Sequence, residues 1–239
     1  NIREMTAQEN GSYDLSVHLG APQMTDIINL RIVDGETEVL NADYTIQGYI
    51  QYLLDNNYTD ETKALAKSLL HYGAKAQLYF DYNTKNPADA GNEIEVENTI
   101  SAESPNVVVD GAVEGIKYYG SSMVFRSKIA IRYYFATDAV TGYTYKVNGK
   151  EIQPAIKEGQ CYIEVADINP DQMDQEMLVE VSDGTSQLSF RYSPNAFITR
   201  MYNRDTTDQE LKDLLVAAKH YFDAAKVFTG VAENRTGAL

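Results

Sequence analysis

The chain has 239 residues, of which 44% are apolar and 23% charged, a composition that excludes a disordered or fibrous protein and indicates a globular one. The 35 acidic and 20 basic residues give a net charge of −15, so nucleic acid and anionic membrane surfaces are poor partners. The single cysteine, Cys161, excludes an internal disulfide and any multi-cysteine metal site, and no apolar run reaches the roughly 18 residues of a membrane-spanning helix.

The first lobe, residues 1–82, is predicted to begin with strands. The sequence starts at Asn1 with neither an initiator Met nor a signal-peptide pattern, and we expect a piece of a longer precursor. Asp34-Gly35 has the composition of a two-residue hairpin turn. Alternation and β-branched residues favour three strands, at Tyr13–Val17, Ile28–Val33 and Glu38–Leu40.

Two helices are predicted to follow these strands. The first covers Thr45–Leu54. The second is longer, and steps of three and four residues keep one of its faces apolar. That apolar stripe consists of Leu65, Leu69, Tyr72, Ala76 and Tyr79.

Residues 83–106 are predicted to be a linker. They are rich in Asn, Asp, Glu, Ser and Pro, with one short alternating piece at Glu93–Val96. Such a linker allows several arrangements of the parts that it joins. It separates the first lobe from a second lobe, residues 107–239.

The second lobe is predicted to contain about seven strands and two helices. Asn148-Gly149 and Asp183-Gly184 are predicted hairpin turns, and Ser193 before Pro194 is a helix N-cap. That short helix ends at Tyr202, and the longer one after it has the apolar stripe Leu214, Ala218, Tyr221, Ala225 and Phe228. The strands are predicted at Ile116–Tyr119, Met123–Phe125, Ile129–Phe135, Tyr143–Val147, Cys161–Val165, Leu178–Val181 and Gln187–Tyr192.

The two lobes share a pattern at an offset of 149 residues. Tyr13–Gly35 aligns without a gap on Tyr162–Gly184, and His71-Tyr72 aligns on His220-Tyr221. We therefore expect an α+β fold in which an antiparallel β-sandwich followed by a helical hairpin is duplicated, with the first copy incomplete. Three strands cannot close a sandwich, and three alternatives stay open: Asn1–Gln8 adds an edge strand, the helices and second lobe cover the open face, or the sequence begins within a domain.

Tyrosine is the abundant aromatic residue, with 18 Tyr against 7 Phe and no Trp. A tyrosine ring can stack on a sugar ring while its hydroxyl makes hydrogen bonds, although tyrosine is also common at half-buried strand positions. Helical phase leaves Tyr52 off the apolar face of its helix, and strand alternation puts Arg132 and Tyr134 on one face. At Tyr118-Tyr119, one ring must face outward or toward the helices.

Two further groups of polar residues have alternative interpretations. His71 and His220, at matching places, either contact a ligand in a cleft or are buried residues bonded to a strand carbonyl. Asp167–Asp174 alternates oxygen-bearing residues like a calcium loop, but Gln172 stands where such a loop needs Gly, and the closing Glu is absent. We therefore predict a turn there, and no metal site.

The sequence lacks the signatures of known catalytic sites. It has no G-x-S-x-G, no H-E-x-x-H, no phosphate-binding Gly loop and no Cys-His signature. We predict no catalytic residue and no cofactor. A glycosidase would require two carboxyl groups facing each other across a cleft, roughly 5 to 9.5 Å apart.

Three segments carry a resemblance to a known kind of module: Tyr118–Phe135, the Asp-Gln-Met-Asp turn at Asp171–Asp174, and Ala64–Tyr82. They resemble the sandwich-plus-helix modules of large secreted, often dockerin-bearing surface proteins of gut Firmicutes, among them starch adherence proteins of amylosomes. The resemblance implies an extracellular or cell-surface module that binds α-1,4-glucan (starch or maltooligosaccharide) without cleaving it.

The predicted function is therefore non-catalytic carbohydrate binding through tyrosine stacking. The alternative is a protein-interaction or spacer module of a cell-surface scaffold protein, with other surface or scaffold domains as partners. The predicted ligand-binding residues are Tyr118, Tyr119, Tyr134, Arg132, His71, His220 and Tyr52.

Overall fold

The structure, a computed structural model, describes residues 15–97, 99–100, 106–125, 129–136 and 141–236, with side chains as far as residue 230. In these ranges the chain is a mixed α+β fold of antiparallel sheets and four α-helices. None of the described helices is long and apolar enough to cross a membrane. The predicted strand at Tyr13–Val17 is not formed at residues 15–17, and residues 13–14, like Asn1–Gln8, lie outside the described ranges.

The described part of the predicted first lobe, residues 15–82, contains a short 3-10 helix, one hairpin and two α-helices. Asp34 pairs with Thr37, so the central turn residues are Gly35 and Glu36 and not the predicted Asp34-Gly35. Gly35 supplies the positive φ of the turn, +60°, and it is the first central residue. The turn therefore lies one residue further along the chain than predicted. The elements are the first 3-10 helix (Ala21–Gln23), β1 (Ile28–Asp34), β2 (Thr37–Tyr44), α1 (Ile46–Asp55) and α2 (Asp60–Tyr79).

The second lobe contains more strands than its sequence predicts. Its short strands, of two or three residues, lie at sheet edges, where pairing and not propensity forms them. The strands are β3 (Asp110–Gly111), β4 (Lys117–Phe125), β5 (Ile129–Ala136), β6 (Thr144–Val147), β7 (Lys150–Glu151), β8 (Ala155–Lys157), β9 (Gln160–Ile168), β10 (Met177–Ser182) and β11 (Gln187–Tyr192). A second 3-10 helix (Pro170–Gln172) follows β9, and α3 (Pro194–Tyr202) and α4 (Gln209–Thr236) follow β11.

These strands form two antiparallel sheets that contact each other. Their orders are β3-β11-β10-β6-β7 and β4-β5-β9-β8. Tyr133 of β5 donates its hydroxyl to the carbonyl of Tyr192 on β11, at 3.3 Å, and the rings of Phe135 and Tyr145 lie 5.4 Å apart. Alternate residues of β5, β9, β10 and β11 are buried, so the core of the lobe lies between the two sheets.

The predicted hairpin turns differ in outcome. Asn148 and Gly149 both have positive φ, +51° and +77°, and join β6 to β7 as predicted. Between β10 and β11 the loop has four residues, Asp183–Ser186, and not two. The Asp183 carboxylate accepts hydrogen bonds from the backbone N–H groups of Thr185 and Ser186, and this local bonding favours the longer loop.

The two short helices begin where the sequence predicts. The Thr45 and Ser193 hydroxyls accept hydrogen bonds from the backbone of Gly48 and Ala196, at 2.8 and 3.1 Å, and cap α1 and α3. Helices α2 and α4 pack against each other, and this contact joins the two lobes.

The segment predicted as a linker has no helix or strand in its described part, yet its first residues are held against α2. Gln77, which is buried, donates its side-chain N–H to the Asn86 carbonyl and accepts a hydrogen bond from the Ala88 backbone. The Gln47 side chain donates to the Ala88 carbonyl from the other side, at 2.9 Å. Ala88 is fully buried as a result.

Candidate functional site

The outer face of the β4-β5-β9-β8 sheet carries a row of tyrosines. Tyr134 lies opposite Gly120 of β4 and Tyr162 of β9 in the strand register, so the three positions share one face. One step along the strands, Arg132 lies opposite Glu164. We call Tyr119, Tyr134, Tyr162, Arg132 and Glu164 the tyrosine face.

A β-bulge places Tyr119 on this face. Tyr118 pairs with Phe135 and Gly120 pairs with Tyr134, which leaves Tyr119 as the extra residue of β4. Tyr118 therefore points inward, while Tyr119 is 58% exposed. Gly120 opposite Tyr134 has no atom within 4 Å of the position a Cβ would take, so the surface beside the rings is open.

The Tyr119 ring contacts the Tyr134 ring, which contacts the Tyr162 ring, but the three ring planes are not parallel. The centroids of Tyr119 and Tyr134 lie 6.1 Å apart with an interplanar angle of 61°, and those of Tyr134 and Tyr162 lie 5.7 Å apart at 49°. Such edge-to-face and tilted contacts are favourable for aromatic pairs. The row runs across strands β4, β5 and β9.

Polar groups fix the orientation of each ring. The Gln160 side chain donates to the Tyr119 hydroxyl at 3.0 Å, and the Tyr134 hydroxyl is 3.0 Å from the Ser122 hydroxyl. The Arg132 guanidinium lies 4.7 Å from the Tyr162 ring centroid, a cation–π distance, and its Nε donates to Glu164 at 2.6 Å. The face thus combines aromatic surface with hydroxyl, amide, guanidinium and carboxylate groups, which can bind a polyhydroxylated ligand.

Tyr118 and Tyr52 lie apart from the tyrosine face. The Tyr118 ring lies 4.2 Å from the Phe190 ring, between the sheets, and burial raises the pKa of its hydroxyl. The sequence predicts Tyr118 as a ligand-binding residue, whereas in the structure it packs against the core. Tyr52 is 57% exposed, as its helical phase predicts, but it lies on α1 in the first lobe.

His71 and His220 also lie apart from this face, at the contact between α2 and α4. The Nδ1 of His71 is 3.1 Å from the Asp89 carboxylate, and both residues are buried. Burial, and then the nearby His71, lower the pKa of His220. One predicted alternative was a buried histidine bonded to a strand carbonyl. His71 is buried, but its partner is the Asp89 carboxylate.

Tyr162, Glu164 and Gln160 belong to this region but were not predicted as site residues. The alternation signal for them was present, because Cys161 and Ile163 are apolar and are buried on the opposite side of β9. What the sequence does not contain is the pairing of β9 with β5, which places Tyr162 beside Tyr134.

The predicted turn at Asp167–Asp174 contains the second 3-10 helix. The Asp174 carboxylate accepts hydrogen bonds from Lys226 and from Asn195, at 2.8 and 2.7 Å, and these partners, Lys226 above all, lower its pKa. Among the described residues no three His, Cys, Asp or Glu side chains are grouped to hold a metal ion.

A cavity of about 380 Å³ lies between the two 3-10 helices, and Tyr72 and Tyr221 contribute to its wall. Most of the remaining wall is aliphatic, with Leu19, Met24 and Ile129 among its residues. Asp167 and Asn169 add two further polar side chains to the wall.

No protein family, curated protein or solved structure matches the chain.

Proposed function

We propose that the chain is a non-catalytic carbohydrate-binding module of an extracellular or cell-surface protein, and that the tyrosine face binds α-1,4-glucan. The observation that carries this proposal is the row of Tyr119, Tyr134 and Tyr162 beside Arg132 and Glu164 on one outer sheet face. Aromatic rings bind the apolar faces of sugars, and the polar groups bind their hydroxyls.

The tilt between the rings favours a curved glucan over a flat one. A flat, extended polysaccharide presents nearly coplanar sugar rings, which suit coplanar aromatic side chains. Successive rings of this face are instead inclined by 61° and 49°. A helical α-1,4-glucan turns its sugar rings from one residue to the next, and this geometry supports starch as the ligand class.

The proposal extends to the architecture: two related units, of which the second is an antiparallel β-sandwich followed by a helical hairpin. Elements that start 149 residues apart support the duplication: the 3-10 helices at Ala21 and Pro170, the hairpins at Ile28 and Met177, and the long helices at Asp60 and Gln209. Single contacts recur as well. Gln77 bonds to Thr25, and Lys226 bonds to Asp174, at the corresponding positions.

The experiment is retardation of the purified chain in native gels that contain amylopectin, dextran, xylan or hydroxyethylcellulose, with calorimetry on every positive. We expect retardation in amylopectin alone. Tyr119→Ala should weaken binding about three- to tenfold, the loss of one aromatic contact.

Tyr52→Ala is the matched control, because Tyr52 is as exposed as Tyr119 but lies on α1. We expect it to bind like the wild type. Loss of binding in Tyr52→Ala alone would move the site to α1, and no retardation of the folded protein in any polysaccharide would contradict carbohydrate binding.

The second candidate function is a protein-interaction module of a surface scaffold, and the β1–β2 hairpin supports it. One face of this hairpin is polar, with Asn29 bonded to Asn41 and Asp43. The other face is apolar and incompletely covered by described residues: Ile28, Leu30, Ile32, Leu40, Ala42 and Tyr44. A folded chain that fails to bind all four polysaccharides would favour this candidate.

A further inference from the structure

Two histidines meet at the junction between the lobes, and their surroundings differ. His71 of α2 has the buried Asp89 as its partner, at 3.1 Å from Nδ1. His220 of α4 has a fully buried Nδ1 for which the described residues offer no hydrogen-bond partner. Buried polar atoms nearly always have a partner, so the His220 nitrogen requires an explanation.

We propose that His220 makes the α2–α4 junction pH-sensitive, so that protonation of its imidazole loosens the contact between the two lobes. A neutral imidazole with its hydrogen on the other ring nitrogen leaves Nδ1 as an unpaired acceptor, which costs less than an unpaired N–H of a charged ring. An imidazolium carries N–H groups on both nitrogens, so the buried Nδ1–H would lack an acceptor. The junction is therefore compatible with the neutral imidazole of His220 and disfavours the imidazolium.

The charged groups around His220 do not supply the missing acceptor. From α2 it faces His71, whose Nδ1 is already paired with Asp89 of the following segment. On α4 itself, Lys219 opposes a positive charge and Asp223 favours one, but these two residues are bonded to each other at 2.7 Å. From the second 3-10 helix and the residues after it, Asp171 faces Tyr221, and Asp174 is paired with Lys226.

The direction of the effect follows from these surroundings. Burial, followed by His71, lowers the pKa of His220 in the folded chain. The unfolded chain therefore binds a proton more readily, and stability should fall as the pH decreases below the ordinary histidine pKa of about 6.5. Above that pH the contribution of His220 to the free energy of unfolding does not change with pH.

The first test is thermal unfolding of the whole chain at pH 7.5 and 5.5 for the wild type, His220→Gln and His18→Gln. His18 is exposed and is the one histidine outside the junction, so its variant is the matched control. We expect the wild type and His18→Gln to lose the same number of degrees between the two pH values. His220→Gln should lose at most half as much, and an equal loss in all three proteins would overturn the proposal.

The second test needs no variant. NMR titration of the wild-type His220 imidazole should give a pKa below the ordinary value. Near-ultraviolet circular dichroism, which reports tyrosine packing because the chain has no Trp, should change over the same pH range while the far-ultraviolet signal is retained. An ordinary His220 titration, or an unchanged near-ultraviolet signal, would overturn the proposal even if His220→Gln fails to fold.

Discussion

The rings of Tyr72 and Tyr221 stack with their centroids 5.7 Å apart and their planes inclined by only 5°. Tyr72 also contacts Phe222 of α4 and Phe125 at the end of β4. This aromatic cluster joins α2, α4 and the β4-β5-β9-β8 sheet. The lobes are therefore held together by their long helices, whatever the residues between the lobes contribute.

Gly120→Leu is predicted to separate ligand binding from folding. Gly120 has an ordinary φ, and a Cβ there would meet no atom within 4 Å, so the variant should unfold at the wild-type temperature or slightly above it. The leucine side chain would lie beside the ring of Tyr134, because Gly120 is opposite Tyr134 in the strand register. Calorimetry should show amylopectin binding at least about tenfold weaker. Unchanged binding would remove the tyrosine face from the site.

Gln77→Leu is predicted to destabilise the first lobe by about 1–3 kcal/mol, the usual cost of leaving a buried polar group unpaired. The substitution removes the acceptor of the buried Ala88 N–H and a donor to Thr25 and Asn86. Urea unfolding monitored by circular dichroism measures the loss.

The matched control for Gln77→Leu is Lys226→Met, 149 residues later in the chain on α4. Its ion pair with Asp174 is exposed, and exposed pairs contribute little to stability. The control should cost clearly less than Gln77→Leu. Equal losses would mean that the hydrogen bonds of Gln77 contribute little.

Gly73→Ala and Gly230→Ala are predicted to change stability in opposite directions, although both glycines lie in long helices. A Cβ at Gly73 would meet Met24 Sδ at 2.5 Å and the Ala21 carbonyl oxygen at 3.2 Å, and such overpacking costs about 1–3 kcal/mol. At Gly230 it would meet nothing within 4 Å, and alanine should stabilise the helix by about 0.5–1 kcal/mol. Thermal unfolding distinguishes the two, and a stabilising Gly73→Ala would contradict the close approach of the first 3-10 helix to α2.

Alkaline pH is predicted to unfold the chain in step with the ionisation of buried tyrosines. Burial raises the pKa of Tyr72, Tyr133 and Tyr145 well above the ordinary value of about 10. The folded chain therefore holds these protons more tightly than the unfolded chain, and stability is lost as the pH rises beyond 10. Absorbance at 295 nm should show a late ionisation step that coincides with the loss of the far-ultraviolet signal. A single smooth step before unfolding would contradict this prediction.

The secondary structure was predictable where local patterns and tertiary pairing agree. Helix α3 begins at Pro194 with Ser193 as its cap, and β11 spans the predicted Gln187–Tyr192. The two strands predicted at Ile116–Tyr119 and Met123–Phe125 are in fact one, β4. Gly120 and the serines after it resemble a turn in sequence, but pairing with β5 keeps them extended.

The candidate site was predictable only in part. Alternation places Tyr134 and Arg132 on one face, and the structure agrees. The choice between Tyr118 and Tyr119 depends on the bulge in β4, which interrupts the alternation. Gly120 beside the bulge is the one sequence signal for it, and our prediction used this glycine as the end of a strand. Tyr162 joins the row through long-range strand pairing, which local patterns do not encode.

The contact between Lys226 and Asp174 responds to ionic strength, whereas the contact 149 residues earlier in the chain, between Gln77 and Thr25, does not. The Lys226–Asp174 contact is an exposed ion pair, so added salt screens it, whereas the neutral hydrogen bond between Gln77 and Thr25 is buried and unaffected. Salt also relieves the self-repulsion of a chain whose net charge is −15. At this pair of positions salt therefore weakens the contact on α4 and leaves the one on α2 unchanged, while the relief of self-repulsion acts on the whole chain.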